Sequence, residues 1–332
     1  MDLATSYYKS EVVYMLVHNN IVDVINGTTS CQEVATTLEL QPHVVCQYLN
    51  AGSQLGLLTI DGKGIVSLTA SGALLRSDHK ESLRHAARFL NEETRIAWRA
   101  ASTQSARTGK SGWDEAFDVG FVRWFEINPD KADLMRQAQV AIQQIEAGAI
   151  LGDWKPPKLD AVICDIGGGL GDTLVAILHH YPSMTGFVVD KTYLSLHAVQ
   201  LIKEHGLSQR AMFLGGFFFA PTLPKLLADC DVFLLKHVLS EFDDENSLVI
   251  LEKVKAVAKS KAKVVIAERI LETNSFETEK ALESVSMLAC SEYGGKDRTL
   301  GEFKALLTAA GYVSQPTFIP LRGVISILEV TV

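Results

Sequence analysis

Positive charge is missing from the first part of this sequence. Between Ser10 and Gly62 there is no lysine or arginine, and the 332-residue chain carries a net charge of -8 at pH 7. A protein that holds a phosphate backbone needs Lys and Arg side chains for those contacts. The composition therefore argues against a nucleic-acid partner.

Long apolar runs are also missing. No run approaches the ~18 residues that a membrane-spanning helix needs. The opening residues, MDLATSYYKSEVV, lack the apolar core of a signal peptide. We expect no membrane partner and a cytoplasmic location, although an organelle presequence that had been removed would leave no trace here.

Cysteines are few and scattered. They stand at positions 31, 46, 164, 230 and 290, never in a C-x-x-C pair. This pattern predicts small buried thiols in a reducing compartment. No Cys/His cluster has the spacing of metal ligands, so the sequence predicts no metal site.

A glycine-rich stretch organises the second half of the chain. Residues 162–190 read VICDIGGGLGDTLVAILHHYPSMTGFVVD, which predicts a strand, a glycine loop, a helix and a second strand. Glycines let a ligand approach backbone N–H groups at a helix N-terminus. A carboxylate at the tip of the second strand, here Asp190, can accept both hydroxyl hydrogens of a ribose.

Two cofactors compete for this loop. A dinucleotide fingerprint has glycine at the first, third and sixth positions, but the sixth position counted from Gly167 is Asp172. Asp165, just before the loop, would also repel a pyrophosphate. A cationic nucleoside without phosphate, such as S-adenosylmethionine, fits better. A tight turn with no ligand is the third alternative.

The N-terminal region predicts a winged helix. Helical segments at Glu11–Ile25, Cys31–Leu38 and Pro42–Leu55 precede a two-stranded wing, LLTI and GIVSLT, and Ser30 or Thr29 with Glu33 can form a capping box. Winged helices often bind DNA, but this one lacks the basic residues. We expect its apolar face to be buried against a second subunit.

Strands and helices alternate after the linker-like segment GDWKPPK, which predicts a doubly wound α/β sheet with an antiparallel edge. Ligands of such sheets bind at the carboxyl ends of the strands. The predicted domains are 1–100 (winged helix), 101–158 (a helical connector that contributes to the substrate pocket) and 159–332 (cofactor binding). Residues at strand ends are Asp165, Asp190, Gly216, Lys236 and Glu268.

The chain resembles the small-molecule O-methyltransferases of the caffeate and acetylserotonin type. The resemblance rests on DIGGGLGD, LGGFFF, LLKHVLSEFDDENSLVILEKVK, VVIAERIL and GGKDRTLGEFKALLTAAGY. It implies a Rossmann-like class I methyltransferase domain with a winged-helix dimerisation domain, a homodimer, S-adenosylmethionine as methyl donor, and S-adenosylhomocysteine as product.

The resemblance also implies roles for individual residues. The glycine loop would hold the methionine part of the donor, Asp190 its ribose and Lys236 would lie beside it. The acid that contacts adenine in the family is replaced by Phe217, and Phe217 and Phe218 could still stack on the ring. The full predicted donor site is Asp165, Gly167, Gly169, Asp190, Gly216, Phe217, Phe218 and Lys236.

The family's catalytic histidine is missing. It is normally followed by an acid and an aromatic residue, and here that triplet is Ser240-Glu241-Phe242. His237 is no replacement, since many relatives carry a histidine there as well as the base. The two acids that flank the base in the family match Glu268 and Asp297.

Three interpretations follow. The favoured one is an acceptor that needs no base: a thioether or amine, as in the methylthiohydroxybutyrate S-methyltransferases of dimethylsulfoniopropionate synthesis, which catalyse by alignment. In the second, Glu241, Glu268 or Asp297 deprotonates an acidic phenol or enol. In the third, methyl transfer is lost and the chain only binds the donor.

Overall fold

Residues 1–142 form the first of two units and are mainly helical. The structure is a computed structural model that describes residues 1–216, 219–220, 222–271, 278–291 and 294–332. The elements of the first unit are α1 (Asp2–Thr5), α2 (Tyr7–His18), α3 (Ile21–Val24), β1 (Thr29–Ser30), α4 (Cys31–Thr37), α5 (Pro42–Gln54), β2 (Leu58–Ile60), β3 (Ile65–Leu68), α6 (Ala70–Ala73), α7 (Arg84–Asn91), α8 (Glu93–Ala100), a π-helical turn (Ala101–Ser105), α9 (Ala106–Thr108), α10 (Gly112–Phe117), α11 (Phe121–Ile127) and α12 (Pro129–Asp153). Helix α12 continues into the second unit.

Local sequence signals predicted much of the secondary structure of the first hundred residues. The capping box is present, because Glu33 N donates to Ser30 Oγ (3.4 Å) and Ser30 N donates to Glu33 Oε2 (2.7 Å). The single helix predicted over Glu11–Ile25 is wrong: Asn20 has a left-handed φ of 57° and separates α2 from α3. The wing also gains an unpredicted third strand, since β1 pairs with β3.

The prediction that all cysteines are free thiols is wrong. Cys31 and Cys46 form a disulfide, with their Cα atoms 5.2 Å apart. The packing of α4 against α5 brings the two residues together, although they are 15 apart in sequence. Cys164 and Cys230 are buried free thiols, as expected.

Aromatic residues of α10 and α11 pack around Trp113, which is fully buried. Its ring lies 4.9 Å from that of Phe121 and 5.5 Å from that of Trp124, both edge-on. A role for this cluster in a substrate pocket, and the three-part division of the chain, stay predictions.

The second unit, residues 143–332, is built on a β-sheet. Its elements are β4 (Val162–Ile166), α13 (Asp172–His180), β5 (Thr185–Asp190), α14 (Ser195–Glu204), β6 (Ala211–Gly215), β7 (Val232–Lys236), α15 (Asp244–Val257), β8 (Lys263–Glu268), β9 (Ile270–Leu271), α16 (Thr278–Cys290), β10 (Arg298–Thr299), α17 (Leu300–Ala309), β11 (Thr317–Pro320) and β12 (Ser326–Thr331).

Within the described ranges, seven strands form one sheet in the order β11-β12-β8-β7-β4-β5-β6. The five strands from β8 to β6 run parallel, and β12 and β11 are antiparallel at the edge. The predicted doubly wound sheet with an antiparallel edge is confirmed. Helix α16 and the short β9–β10 pair were not predicted.

Both faces of the sheet are covered. Along β7, Phe233 and Leu235 pack into one apolar core, and Val232 and Leu234 pack into the other. Strands that are buried on both faces carry continuous apolar runs, so polar residues stand only where the strands end. The carboxyl ends of β4, β5, β7 and β8 thus carry Asp165, Asp190, Lys236 and Glu268. No described helix has the length and apolarity that would let it cross a membrane.

The disulfide gives a direct test. Under denaturing conditions without reductant, we expect three thiols to react with Ellman's reagent, and five after reduction, because only Cys164, Cys230 and Cys290 are free. A bridge across a 15-residue separation should also stabilise the fold by about 3 kcal/mol. A C31A/C46A variant should therefore unfold at a lower urea concentration than wild type, and dithiothreitol should not change its unfolding midpoint. C290A, which keeps the bridge, serves as the control. Five reactive thiols before reduction would disprove the bridge.

Candidate active site

The glycine loop joins β4 to α13. Gly167, Gly169 and Gly171 have φ of 71°, 61° and 99°, values that L side chains rarely adopt. A Cβ at Gly168 would lie 2.6 Å from Asp165 Oδ2, whereas one at Gly169 would meet no atom within 4 Å. The loop therefore packs against Asp165 on one side and faces open space on the other.

Two acids flank this loop. Asp190 Oδ2 accepts a hydrogen bond from Gly169 N (2.7 Å), and Asp190 Oδ1 accepts one from Lys191 N (2.6 Å). The Asp165 side chain is buried, and its Oδ2 has no hydrogen-bond partner among the described residues. Burial is the main cause that raises the pKa of Asp165 to about 7; Lys236 opposes this shift, and Asp190 and Asp172 add to it.

The turn after β7 carries the residues that replace the family's catalytic triplet. Leu239–Glu241 form a single 3₁₀ turn in which Ser240 is buried. Glu268, at the end of β8 and fully buried, accepts Leu239 N (2.9 Å) and Ser240 N (3.3 Å) through Oε1. The Glu268 carboxylate thus fixes the backbone of this turn.

Arg298 holds the same turn from the other side. This fully buried guanidinium donates to Leu239 O (2.6 Å), Phe242 O (2.8 Å) and Ser247 Oγ (3.1 Å). It also pairs with Asp244 at 2.8 Å. The planar guanidinium presents five N–H donors in a fixed fork, whereas a lysine ammonium offers three donors from a single nitrogen.

His237 lies between two carboxylates. Its Nε2 is 2.7 Å from Glu146 Oε1, and its Nδ1 is 3.6 Å from Glu268 Oε2. Burial alone would lower the pKa of His237, but Glu146 and Glu268 outweigh it and raise the pKa to about 9. His237 is therefore an imidazolium near pH 7 and cannot serve there as a base.

Lys236 and His237 share Glu146. Lys236 Nζ lies 2.9 Å from Glu146 Oε2. Burial would raise the pKa of Glu146, but His237 and Lys236 together lower it to about 2. Glu146 was not predicted from the sequence as a site residue. A weak signal was present: on α12 the residues three and four positions later, Ala149 and Ile150, are both buried, so a lone acid stands on an apolar stripe.

Glu241 differs from the other acids of the site. Its side chain is open to solvent, yet the surrounding protein displaces enough water to raise its pKa to about 7. The charge of Glu268 contributes to this shift, and Lys191 and His237 oppose it. A carboxyl with this pKa can take up and release a proton near neutral pH.

Asp297 is placed differently again. Its side chain is fully buried, and its Oδ2 accepts from Arg269 Nε at 2.8 Å. Its segment lies against the turn, since a Cβ at Gly295 would sit 2.3 Å from Ser240 O. The segment that carries Asp297 thus lies near Ser240 in space, but the Asp297 carboxylate is paired with the Arg269 guanidinium.

The remaining predicted donor residues lie at the ends of β6 and β7. Gly216 N donates to Asp190 O (2.9 Å), which keeps the chain after β6 close to β5. Phe217 and Phe218 lie outside the described residues. The structure thus groups Asp165, Gly167, Gly169, Asp190 and Gly216 around the loop, and Lys236, Ser240, Glu241 and Glu268 around the turn.

Comparison with known proteins identifies the family. The profile of the O-methyltransferase domain matches residues 99–313, about two thirds of the chain. The chain belongs to this family. The predicted class I fold and the prediction of a methyltransferase that uses S-adenosylmethionine are confirmed, whereas membership of an S-methyltransferase branch is not supported by this match.

Individual relatives agree. The phenazine O-methyltransferase PhzM of Lysobacter antibioticus is 26% identical over 99% of this chain and 94% of its own length. The 3-amino-4-hydroxybenzoate 4-O-methyltransferase of Streptomyces cremeus is 26% identical over 97% and 87%. The fold of human N-acetylserotonin methyltransferase, solved in complex with SAM, superposes with a TM-score of 0.86 at 20% identity, covering 99% of this chain and 95% of that one.

Arg298 is the clearest test of how the turn is held. R298K should lower the free energy of unfolding by about 2–4 kcal/mol, because the single ammonium leaves buried carbonyls unpaired at about 1–3 kcal/mol each. Urea unfolding measures this. R322K, at an arginine whose side chain is 80% exposed, should change stability by less than about 0.5 kcal/mol. Equal stability of R298K and wild type would contradict this account of the turn.

Proposed function

We propose that this methyltransferase methylates an acidic hydroxyl, such as a phenol, on a small aromatic molecule, with Glu241 as the general base. The observation that carries the proposal is the Glu241 carboxyl: it is accessible, it has a pKa near 7, and it stands next to Ser240, where the family has its histidine. This differs from the thioether acceptor that the sequence alone favours.

The residues of the glycine loop fit a cationic donor. Asp165 presents a buried carboxylate oxygen that has no partner among the described residues, and a cationic ligand would supply one. Asp190 keeps lone pairs for hydroxyl groups after accepting Gly169 N and Lys191 N. In the proposal, Asp165 faces the charged methionine part of S-adenosylmethionine, Asp190 binds its ribose, and open space at Gly169 admits the ligand.

S-adenosylmethionine supplies an electrophilic methyl group when it is bound. The chain must supply a deprotonated acceptor, because a neutral hydroxyl is a poor nucleophile. Glu241 would accept the hydroxyl proton, so that the acceptor oxygen carries the electron pair that methyl transfer requires; the co-product would be S-adenosylhomocysteine. Asp190 and Lys191 act electrostatically on the Glu241 carboxyl, which supports a location of this base close to the donor site.

The other predicted catalytic residues are less suited to take a proton. Burial would raise the pKa of Glu268, but His237 and the turn lower it, and Glu268 Oε1 already accepts two backbone N–H groups. Asp297 is paired with Arg269. In the proposal Glu268 and Asp297 position the site, and Ser240 provides space beside the acceptor.

The relatives support an oxygen acceptor. The proteins that are 26% identical over nearly the whole chain are named as O-methyltransferases of a phenazine and of 3-amino-4-hydroxybenzoate. Thioether S-methylation remains the second candidate, since Ser240 leaves the usual base position without a base and a thioether needs none. Loss of methyl transfer is the third.

A homodimer formed through residues 1–100 is part of the proposal. Its support within the first unit is an N-terminal set of exposed apolar and aromatic side chains, Leu3, Tyr7 and Tyr8, which monomers rarely leave in contact with water as a group. No nucleic acid or membrane enters the proposed function.

Donor binding should depend on pH through Asp165. An Asp165 carboxylate pairs with a cation only when it is ionised, so affinity for S-adenosylhomocysteine and S-adenosylmethionine should rise about tenfold from pH 5.5 to 7, through the pKa of about 7. Calorimetry on wild type and D165N measures this. D165N should bind more weakly at pH 7 and lose the pH dependence; D160N, at an exposed acid in the linker, should match wild type. A pH-independent wild type would overturn the role of Asp165.

Glu241 should set the pH dependence of turnover. At saturating S-adenosylmethionine, which removes the pH dependence of donor binding, and with a hydroxyphenazine or 3-amino-4-hydroxybenzoate as probe, kcat/KM for the acceptor should rise about tenfold per pH unit below pH 7 and level off above it, because the base works only when ionised. The kcat/KM of E241Q should be about 10²–10⁴-fold lower than that of wild type and should no longer depend on pH. E245Q, on α15, should behave like wild type. S-adenosylhomocysteine release provides the assay.

The alternatives give different outcomes in the same assay. Turnover of 4-methylthio-2-hydroxybutyrate that is unchanged in E241Q, with none for the phenols, would establish the thioether candidate instead. Full phenol turnover by E241Q would remove Glu241 as the base. Tight donor binding without any turnover would favour a non-methylating protein.

A further inference from the structure

His237 has a backbone conformation that histidine seldom adopts. Its φ is 53°, in the left-handed region, and it follows directly on β7. Such a conformation costs of order 1–3 kcal/mol and persists only where surrounding contacts enforce it. Here the backbone N–H of His237 donates to Ala267 O (3.1 Å), and the imidazole lies between Glu146 on α12 and Glu268 on β8.

Glu268 needs a nearby positive charge to stay ionised. It is fully buried, and the described contacts of its Oε1 are two backbone N–H groups. Its Oε2 has no hydrogen-bond partner among the described residues, and His237 Nδ1 approaches it at 3.6 Å. A buried carboxylate without a compensating cation takes up a proton instead.

We propose that His237 is the positioning residue of this site: clamped by Glu146, it keeps Glu268 ionised, and ionised Glu268 holds the Leu239–Glu241 turn that presents Glu241. A neutral Glu268 would accept the two N–H groups more weakly, since hydrogen bonds to charged groups are the stronger ones. The inference deepens the proposed function and rests on its assignment of Glu241.

Several charged groups of the described residues act on His237 and on Glu268. Glu146 and Glu268 favour the imidazolium, in agreement with the raised pKa of His237. Lys236 shares Glu146 with it. Among the described residues, the charged and titratable groups around His237 and Glu268 include Glu146 on α12, Lys236 on β7, Glu241 on the turn, Arg269 directly after β8 and Glu283 on α16.

The test uses the whole protein without any acceptor, so it stands even if the proposed reaction fails. In ¹⁵N-labelled protein, the amide signals of Leu239 and Ser240 report the charge of Glu268, to which both donate. All variants are compared in an E241Q background, because Glu241 on the same turn itself titrates near pH 7; in that background both amides should stay constant from pH 5 to 8. In H237N, which tolerates the left-handed backbone but carries no charge, burial without the cation should raise the pKa of Glu268 above that of an ordinary carboxyl, and both amides should titrate between pH 5 and 8.

Two further variants separate positioning from general damage. His205 is an exposed histidine directly after α14, which connects β5 to β6. H205N removes it and should leave both amides unchanged. E146Q keeps His237 but removes its closer carboxylate, so the imidazole should titrate at least about one pH unit below wild type, and both amides should follow that titration. E146Q also covers the case in which H237N does not fold.

The outcomes are distinct. Amides of H237N that stay constant from pH 5 to 8, or amides of E146Q that ignore the titration of His237, would overturn the inference. Titrating amides in H237N together with full phenol turnover by E241Q would support the clamp and reject the proposed base. With an acceptor that wild type methylates, H237N should lose kcat, while its affinity for S-adenosylhomocysteine stays within about twofold of wild type.

Discussion

The buried carboxylate of Glu268 is the constraint on which the acceptor side of the site depends. It satisfies two backbone N–H groups of the Leu239–Glu241 turn, and Arg298 satisfies carbonyl groups of the same turn. A short turn between a strand and a helix has few hydrogen bonds of its own, so these two side chains define its shape. Because Glu268 is charged and buried, it in turn depends on the cation at His237.

The strand, glycine loop and helix of the proposed donor site could be predicted from the sequence because their signals are local. Consecutive glycines, an acid before them and an acid at the next strand end lie within 29 residues, and the structure assembles them as β4, the loop, α13 and β5. The capping box at Ser30 is equally local. Such features depend on neighbours in the chain, which a single sequence displays directly.

The acceptor side could be predicted only in part because its contacts are long-range. Glu146 reaches Lys236 and His237 across about 90 residues, and no spacing in the sequence announces such a contact. The bridge between Cys31 and Cys46 was missed for a related reason: it needs α4 and α5 to pack in one register. Ser240, Glu241, Glu268 and Asp297 were found by resemblance, but which of them is accessible, buried or paired is a property of the packing.

Those environments matter most at Glu241. Near pH 7 the ions of the cluster are nearly balanced, with carboxylates at Glu146 and Glu268 against cations at Lys236 and His237. An ionised Glu241 adds one negative charge, which a sulfonium donor would compensate. Under the proposed reaction with a hydroxyl, the donor loses its positive charge as Glu241 gains a proton, so the site is as balanced after methyl transfer as before it. A thioether acceptor would instead leave a new cation beside an ionised Glu241, and product release would then separate opposite charges. Both reactions conserve the net charge of the site; they differ in its final state, which is two neutral groups after methylation of a hydroxyl and an ion pair after methylation of a thioether.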